Sequence, residues 1–163
     1  MEEHQAARVR RLLAPGSRTA PHFAGTALRP SFFPIDPSYR VPVTLEPAAD
    51  DTQTLRDRVT GETSSFDVVG ILRGSLTGQP LALEAIRMSD GTIEVAFRDA
   101  TSGDESYGFR YLRVEPSIGT AWWLDFNLAY NPLCAYGDGY RCVLPPPQNA
   151  LAIPIRAGER RFR

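Results

Sequence analysis

Closely spaced turn signals between residues 66 and 128 constrain the fold of this chain more than any other feature. Thr77-Gly78, Ser89-Asp90-Gly91 and the polar stretch 99–106 separate short runs of alternating apolar residues. This pattern is typical of antiparallel strands joined by tight turns. Fourteen prolines and thirteen glycines also favour short strands over long helices. The sequence therefore predicts an all-β, mainly antiparallel domain, either a compact small barrel or a sandwich.

The predicted strands can be placed by alternation. They cover residues 41–45, 66–76, 79–88, 92–98, 107–115, 120–128 and 151–156, with one weak strand at 54–59. Pro42 cannot donate to a ladder, so the first strand is expected at an edge. Thr77-Gly78 predicts a two-residue hairpin turn. Because the apolar parity changes between Leu83 and Ile86, a bulge is expected near Glu84-Ala85.

Two hairpin registers follow from the turns. If Asp90-Gly91 is a two-residue turn, Met88 faces Ile93 and Arg87 faces Glu94. If residues 116–119 form a four-residue loop, the last two long strands pair with Arg110 across from Asp125. The second register predicts an ion pair beside the candidate site.

The N-terminal segment has a different composition. Residues 2–13 place acidic residues first and arginines late, which suits a helix dipole, and Ala14-Pro15-Gly16 ends the helix. We therefore divide the chain into an N-terminal helix and linker, residues 1–22, and a single β-rich domain, residues 23–163. Residues 1–22 are expected to be dispensable for the fold, because the helix has few apolar positions.

Charge and hydropathy exclude several functions. All eighteen basic residues are arginine and the net charge is −1, with +3 on residues 1–29, +3 on 150–163 and −7 between them. Solvated ends explain this better than nucleic-acid binding, since neither end interleaves aromatics with a groove-sized helix. No apolar run is long enough for a membrane span, and the acidic start lacks a signal-peptide core. The sequence predicts a cytoplasmic protein with no nucleic-acid or membrane partner.

Residues 119–149 combine aromatic and polar side chains at unusual density. Trp122, Trp123 and Phe126 lie among Asp125, Asn127, Tyr130 and Asn131, and both cysteines follow. Either a binding site or the internal bonding of an irregular loop would need such residues. With residues from the loop at 99–106 and the strand after it, the candidate ligand-binding residues are Asp99, Thr101, Tyr107, Arg110, Asp125, Asn127, Tyr130, Asn131 and Cys134.

Cys134 and Cys142 are open to several interpretations. Zinc would need four ligands, and the only histidines, His4 and His22, lie near the N-terminus. A catalytic thiol would need a nearby base, and a disulfide would be unusual in the cytosol. Two reduced, metal-free thiols that pack the loop are therefore expected.

The loop at 99–106 and the aromatic group each allow a second interpretation. The loop residues Asp, Thr, Ser and Gly stabilise turns through their own side chains; they could cradle a phosphate, but three acids oppose an anion and no phosphate motif is present. The tyrosines and tryptophans could pack a core or line a pocket for a sugar, a lipid or a flavin. No cofactor is predicted, and a flavin stays open.

Several motifs resemble an uncharacterised prokaryotic family, the domain of unknown function family 1684. They are Phe33-Pro34-Ile35-Asp36-Pro37, Asp99-Ala100-Thr101-Ser102-Gly103, Asp125-Phe126-Asn127 with Ala129-Tyr130-Asn131-Pro132 and Cys134, Pro145-Pro146-Pro147 with Asn149, and Ala157-Gly158-Glu159. The resemblance covers about residues 23 to 163. It implies no established reaction.

The favoured function is a small-molecule or partner-binding β-barrel module, with its pocket between the loop at 99–106 and residues 125–134. An enzyme of unknown reaction, flavin-using or hydrolytic, is the alternative, with Asp125 and Tyr130 as acid and base. A structural interaction domain without a ligand is a third possibility. No Ser/His/Asp triad or paired catalytic glutamates can be assembled from the sequence.

Overall fold

A computed structural model describes residues 1–48, 52–56, 61–116 and 122–162. Its seven strands form one antiparallel sheet in the order β1-β7-β6-β5-β4-β3-β2, and β1 also pairs with β3. Six strands therefore make a nearly closed small barrel, and the predicted all-β class is confirmed. The strands are β1 (Arg40–Pro47), β2 (Thr52–Arg56), β3 (Thr63–Leu76), β4 (Gln79–Arg87), β5 (Ile93–Phe97), β6 (Arg110–Pro116) and β7 (Trp122–Asp125).

Side chains fill the inside of the barrel. Leu72, Leu83, Val95, Leu112 and Leu124 come from five different strands and are each at most 1% exposed. Because alternate residues of a strand point to opposite faces, the residues between them lie on the outer wall. A ligand would therefore have to bind outside the barrel, under the segments that cover the wall.

Helix α1 (Glu2–Leu13) has the predicted bounds, and a short helix α2 (Ala20–Phe23) follows it. Leu12 of α1 packs with Phe23, Tyr136 and Phe162 in a second apolar cluster outside the barrel. Among the residues that the structure describes, no helix is long and apolar enough to cross a membrane.

The β3–β4 hairpin has the predicted turn. Thr77 (φ 49°) and Gly78 (φ 78°) are both left-handed, as a two-residue type I′ turn requires, and Leu76 pairs with Gln79. The expected bulge is present, but its extra residue is in β3, between Val68 and Gly70, opposite the predicted position in β4. A Cβ on Gly70 would lie 2.3 Å from the Glu46 carbonyl oxygen, so this glycine permits the close approach of β1.

The predicted β4–β5 register was wrong by one residue. Ile86 pairs with Glu94 and Arg87 with Ile93, because the loop has three residues, not two. The Met88 amide donates to the Thr92 carbonyl at 2.8 Å, and Gly91 is left-handed at φ 82°. Glu94 consequently shares the outer face with Ile86, where later segments bury it.

The predicted β6–β7 register was also wrong. Glu115 pairs with Trp123 and Pro116 with Trp122, a shift of three residues, so Arg110 does not face Asp125. β7 is short because the Asp125 side chain accepts from the Asn127 amide and begins a 3-10 turn at Phe126–Leu128. Of the loop predicted at 116–119, residues 117–119 lie outside the described part of the chain.

Two further strand predictions need correction. β1 is not an edge strand, since it pairs with β7 over residues 40–43, where Pro42 faces Trp123, and with β3 from Val43 onward. Residues 151–156 form no strand. Instead, the Leu151 amide donates to the Arg98 carbonyl and the Ile155 amide donates to the Asp99 side chain. The weak strand predicted at 54–59 appears as β2, and residues 57–60 lie outside the described part.

Candidate functional site

A pocket of about 260 Å³ lies between helix α1 and the outer wall of the barrel. Three arginines, a histidine, a tyrosine and a leucine line it: His4, Arg8, Arg11, Arg113, Leu128 and Tyr130. We call it the arginine pocket. Its three residues from α1 are spaced by four and three positions, which places them on one face of the helix. Arg113 is on the outer wall of β6, between the core residues Leu112 and Val114.

Arg8 joins this pocket to the interior. Its Nε donates to Glu159 Oε1 at 2.8 Å and its Nη2 donates to the Asn131 carbonyl at 2.9 Å. The guanidinium also lies 4.9 Å from the centre of the Tyr130 ring. Glu159 is fully buried, and its other oxygen accepts from the Asn131 amide and the Tyr136 hydroxyl. The charge of Arg8 is thus largely neutralised by Glu159.

The other two arginines keep more of their positive charge available. Arg113 is 57% exposed, and its nearest carboxylates, on Asp90 and Glu94, are 3.9 and 4.0 Å away. Arg11 is exposed and makes no ion pair with any residue that the structure describes. An anion in the pocket would therefore meet positive charge from α1 on one side and from β6 on the other.

Tyr130 and Glu94 form a hydrogen-bonded pair at the edge of the pocket. The Tyr130 hydroxyl donates to Glu94 Oε2, and the Glu94 side chain is only 7% exposed. Burial raises the pKa of Glu94 above its ordinary value, and the hydrogen bond from Tyr130 and the charge of Arg113 oppose this only in part. Burial, and then the Glu94 charge, raises the pKa of Tyr130. At neutral pH the tyrosine therefore keeps its proton and can donate it to Glu94.

The raised pKa of Glu94 predicts a pH dependence of stability. The folded state binds this proton more tightly than the unfolded state, in which a glutamate has a pKa of about 4.3. The free energy of unfolding of the wild type, relative to Glu94→Gln, should therefore fall as pH rises from about 4.3 through the raised pKa, and then level off. Urea unfolding of both proteins across this range measures the difference.

Glu105→Gln is the matched control for that experiment. The hydrogen bond from Arg156 lowers the pKa of Glu105, so its difference curve should have the opposite sign, with stability gained as pH rises. A wild-type minus Glu94→Gln curve that is flat or rises with pH would contradict the assignment of Glu94.

Asp99 and Arg110 form a second buried ion pair. Arg110 Nη2 lies 2.7 Å from Asp99 Oδ2, and the two side chains are 1% and 0% exposed. Arg110 also donates to the carbonyls of Ile155, Ala157 and Glu159. Burial lowers the pKa of the guanidinium and the Asp99 charge opposes the shift. This network fastens the C-terminal segment, which has no strand of its own, to the barrel.

Thr101 completes the network. Its hydroxyl donates to Asp99 Oδ1 at 2.6 Å and lies 2.8 Å from the Ser106 hydroxyl. Thr101 is 1% exposed. Buried protein side chains therefore fill the region between the loop at 99–106 and the C-terminal segment, and Arg110 Nε is the atom of this network that has no hydrogen-bond partner among the described residues.

Asp125 and Asn127 hold the proline-rich segment before β1. Asn127 exchanges two hydrogen bonds with the Asp36 backbone, at 3.0 and 2.8 Å, and Asp125 Oδ1 accepts from the Asn127 side chain at 2.9 Å. Asp125 also lies 3.8 Å from Arg40 and lines a small depression, of about 50 Å³, that shares Arg113 with the arginine pocket.

The last three predicted site residues are Tyr107, which precedes β6, and Asn131 and Cys134, which follow β7. Asn131 is buried, and its side-chain amide donates to the Arg160 carbonyl at 2.9 Å. The Tyr107 hydroxyl lies 3.7 Å from Cys134 Sγ, and the Cys134 amide donates to Cys142 Sγ at 3.3 Å. The two cysteines are not joined by a disulfide. No group of three or more potential metal ligands occurs within residues 1–48, 52–56, 61–116 and 122–162.

The structure thus separates the predicted residues into different networks and adds residues that sequence reasoning missed. Of the nine, Tyr130 lines the arginine pocket and Asp125 lines the neighbouring depression. The spacing of His4, Arg8 and Arg11 was a signal that could have indicated a basic helix face. Glu94 was missed because the predicted register put it opposite Arg87, and no sequence signal connected Glu159 with Arg8.

Comparisons with known proteins agree with this fold. An uncharacterized protein of Haloarcula marismortui, whose solution NMR structure is known, has 32% sequence identity and a TM-score of 0.70, over 98% of this chain and 91% of that one. The comparison with curated proteins found no match. Residues 23–160 match the profile of the family described as protein of unknown function (DUF1684). Because that match covers most of the chain, the protein belongs to the DUF1684 family.

Proposed function

We propose that this chain is a small-molecule-binding β-barrel module whose arginine pocket takes a small anion, a carboxylate or a phosphate. The observation that carries the proposal is the lining of the pocket, in which three of six residues are arginine and a fourth is histidine. Its volume of about 260 Å³ is just below the range of roughly 300–1,000 Å³ typical of sites for drug-sized ligands.

The charge balance of the pocket supports an anion over a cation. Arg8 is paired with Glu159, so this pair contributes little net charge, and none of the described residues that line the pocket is acidic. Arg11 and Arg113 therefore give the pocket a net positive charge. A guanidinium offers paired donors that match the oxygens of a carboxylate or a phosphate. Leu128 and the Tyr130 ring supply apolar contact for the rest of a ligand.

Titration of the full chain with inorganic phosphate and with citrate tests this proposal. Chemical shifts of arginine side chains, followed by NMR at low salt, should report saturable binding. Arg11→Gln and Arg113→Gln should each weaken it about tenfold or more, since a charged hydrogen bond contributes about 1.5–3 kcal/mol. Arg8 is not a suitable variant, because its loss would leave Glu159 buried without its charge partner.

Arg73→Gln is the matched control, because Arg73 is an exposed strand arginine that pairs with Glu46. It should leave binding unchanged. Binding that is absent, or that Arg73→Gln weakens as much as Arg113→Gln does, would contradict a site in the arginine pocket.

A second candidate, a structural interaction domain without a ligand, is favoured by the filled barrel. The interior is packed with apolar side chains that are almost fully buried. Failure of both anions to bind would make this the better interpretation.

A further inference from the structure

A second cavity, of about 150 Å³, lies on the outer wall of β4, β5 and β6 beneath residues 141–143. Its walls are mostly apolar and aromatic: Phe66, Ile86, Met88, Ala96, Tyr111 and Val143. Tyr111 is held in place, because its hydroxyl donates to the Val143 carbonyl at 2.8 Å. We call this the Glu94 cavity, since the one buried charged residue that lines it is Glu94.

Glu94 is an unusual residue for such walls. It is 6% exposed, and Oε2 accepts the hydrogen of the Tyr130 hydroxyl. Oε1 has no hydrogen-bond partner among the described residues. Oε1 is not among the fully buried polar atoms of the described residues that lack a partner, and Glu94 lines the cavity, so a donor placed in the cavity can reach this oxygen.

The surroundings of the cavity favour an uncharged occupant. At its mouth, exposed Arg141 pairs with Glu62 at 2.8 Å, so the entrance carries little net charge. Arg113 does not line the cavity, but it lies 4.0 Å from Glu94 Oε2, so its positive charge already balances part of the carboxylate charge. The volume of the cavity suits an occupant the size of a single ring, because an engineered apolar cavity of about 150 Å³ in another protein binds benzene.

We propose that the Glu94 cavity binds a single-ring, uncharged molecule or group whose hydroxyl or N–H donates to Glu94 Oε1. The ring would contact Ile86, Met88 and Val143, and the donor would satisfy the oxygen that the protein leaves without a partner. This site is separate from the arginine pocket. Tyr130 lines the arginine pocket and Glu94 lines this cavity, so the hydrogen bond between these two residues separates the two sites. The proposal therefore does not depend on anion binding.

Phenol, anisole and toluene test the proposal on the full chain at pH 8. They share one ring, but only phenol has a hydrogen to donate. Methyl resonances of Ile86, Met88 and Val143, followed by NMR, should show saturable shifts with phenol. Phenol should bind about tenfold or more tightly than anisole or toluene, the effect expected for a hydrogen bond to a charged group. This comparison needs no variant.

Three substitutions, one of them a control, then locate the effect. Glu94→Leu should reduce phenol binding to the level of toluene, whereas Glu46→Leu, which removes an exposed carboxylate on β1, should not change it. Val143→Phe, at a half-buried loop position, keeps Glu94 and should abolish binding of all three molecules by filling the cavity.

Three results would overturn the proposal. They are phenol that causes no saturable shift at these methyl groups, equal affinities for phenol and anisole, and phenol binding that survives Val143→Phe. Equal affinities would show that no donor to Oε1 is recognised. None of these results bears on phosphate binding, which is measured at other resonances.

Discussion

Replacing Arg110 with methionine is expected to lower the free energy of unfolding by about 3–5 kcal/mol, the cost of leaving a buried charge without its partner. Asp99 would keep its two hydrogen bonds from Thr101 but would lose the only positive charge within 4 Å that the described residues provide. Urea unfolding measures the change as a shift of the midpoint at constant slope.

Three carbonyls would lose their donor as well. Arg110 donates to Ile155, Ala157 and Glu159 in the segment that forms no strand. The double variant Arg110→Met with Asp99→Leu should therefore recover only part of the loss, because removing both charges does not restore these hydrogen bonds. Full recovery would show that the ion pair matters and the carbonyl contacts do not.

Arg156→Met is the matched control. Arg156 pairs with Glu105 at 2.7 Å in the same part of the domain, but the two side chains are 56% and 31% exposed. Exposed pairs contribute about 0–1 kcal/mol, so this substitution should cost less than about 1 kcal/mol. Similar losses for Arg110→Met and Arg156→Met would contradict a buried role for Arg110.

A chain that begins at Phe23 is expected to lose at least about 3 kcal/mol of stability, or about 6 °C or more in melting temperature. The sequence alone predicts that residues 1–22 are dispensable, whereas the contacts favour the opposite result. Without Arg8, the fully buried Glu159 loses its side-chain ion pair, and the cluster around Phe23 and Tyr136 loses Leu12. Thermal unfolding of the shortened and full chains measures the difference.

Glu159→Gln separates the charge effect from the loss of packing. In the full chain this substitution should destabilise, because Arg8 loses its carboxylate. In the shortened chain it should stabilise, since a neutral amide is easier to bury than an unpaired charge. The same sign in both backgrounds would refute this account, and a shortened chain that melts within about 2 °C of the full one would support dispensability.

Local features of the fold were predictable from sequence because neighbours in the chain determine them. Thr77-Gly78 specifies its hairpin through backbone conformation alone, and helix α1 begins and ends where its residues 2–13 indicate. The antiparallel barrel follows from many short alternating runs. The motif at residues 125–134 also identified the family, which the match of residues 23–160 confirms.

The register of the strand pairs was harder to predict from the sequence. The number of residues in a loop decides which residues face each other; Asp90 is not left-handed, as a two-residue Asp-Gly turn requires, and the Met88 amide bonds the Thr92 carbonyl to close a three-residue loop. That single step moved Glu94 from a pairing with Arg87 to a buried position on the outer wall. Because side chains alternate along a strand, a shift of one residue reverses the face of every residue on it.

By itself, the sequence determined the β class, the helix, the hairpin turn and the density of polar residues in 119–149. Only the tertiary structure decided what those residues bond to. Arg110 pairs with Asp99 and not with Asp125, and Arg8 reaches Glu159 across 151 positions of sequence. Such pairs depend on how helix α1 and the C-terminal segment pack against the outer wall of the barrel. The free energy that selects them comes from burial of the whole surface, which no local pattern encodes.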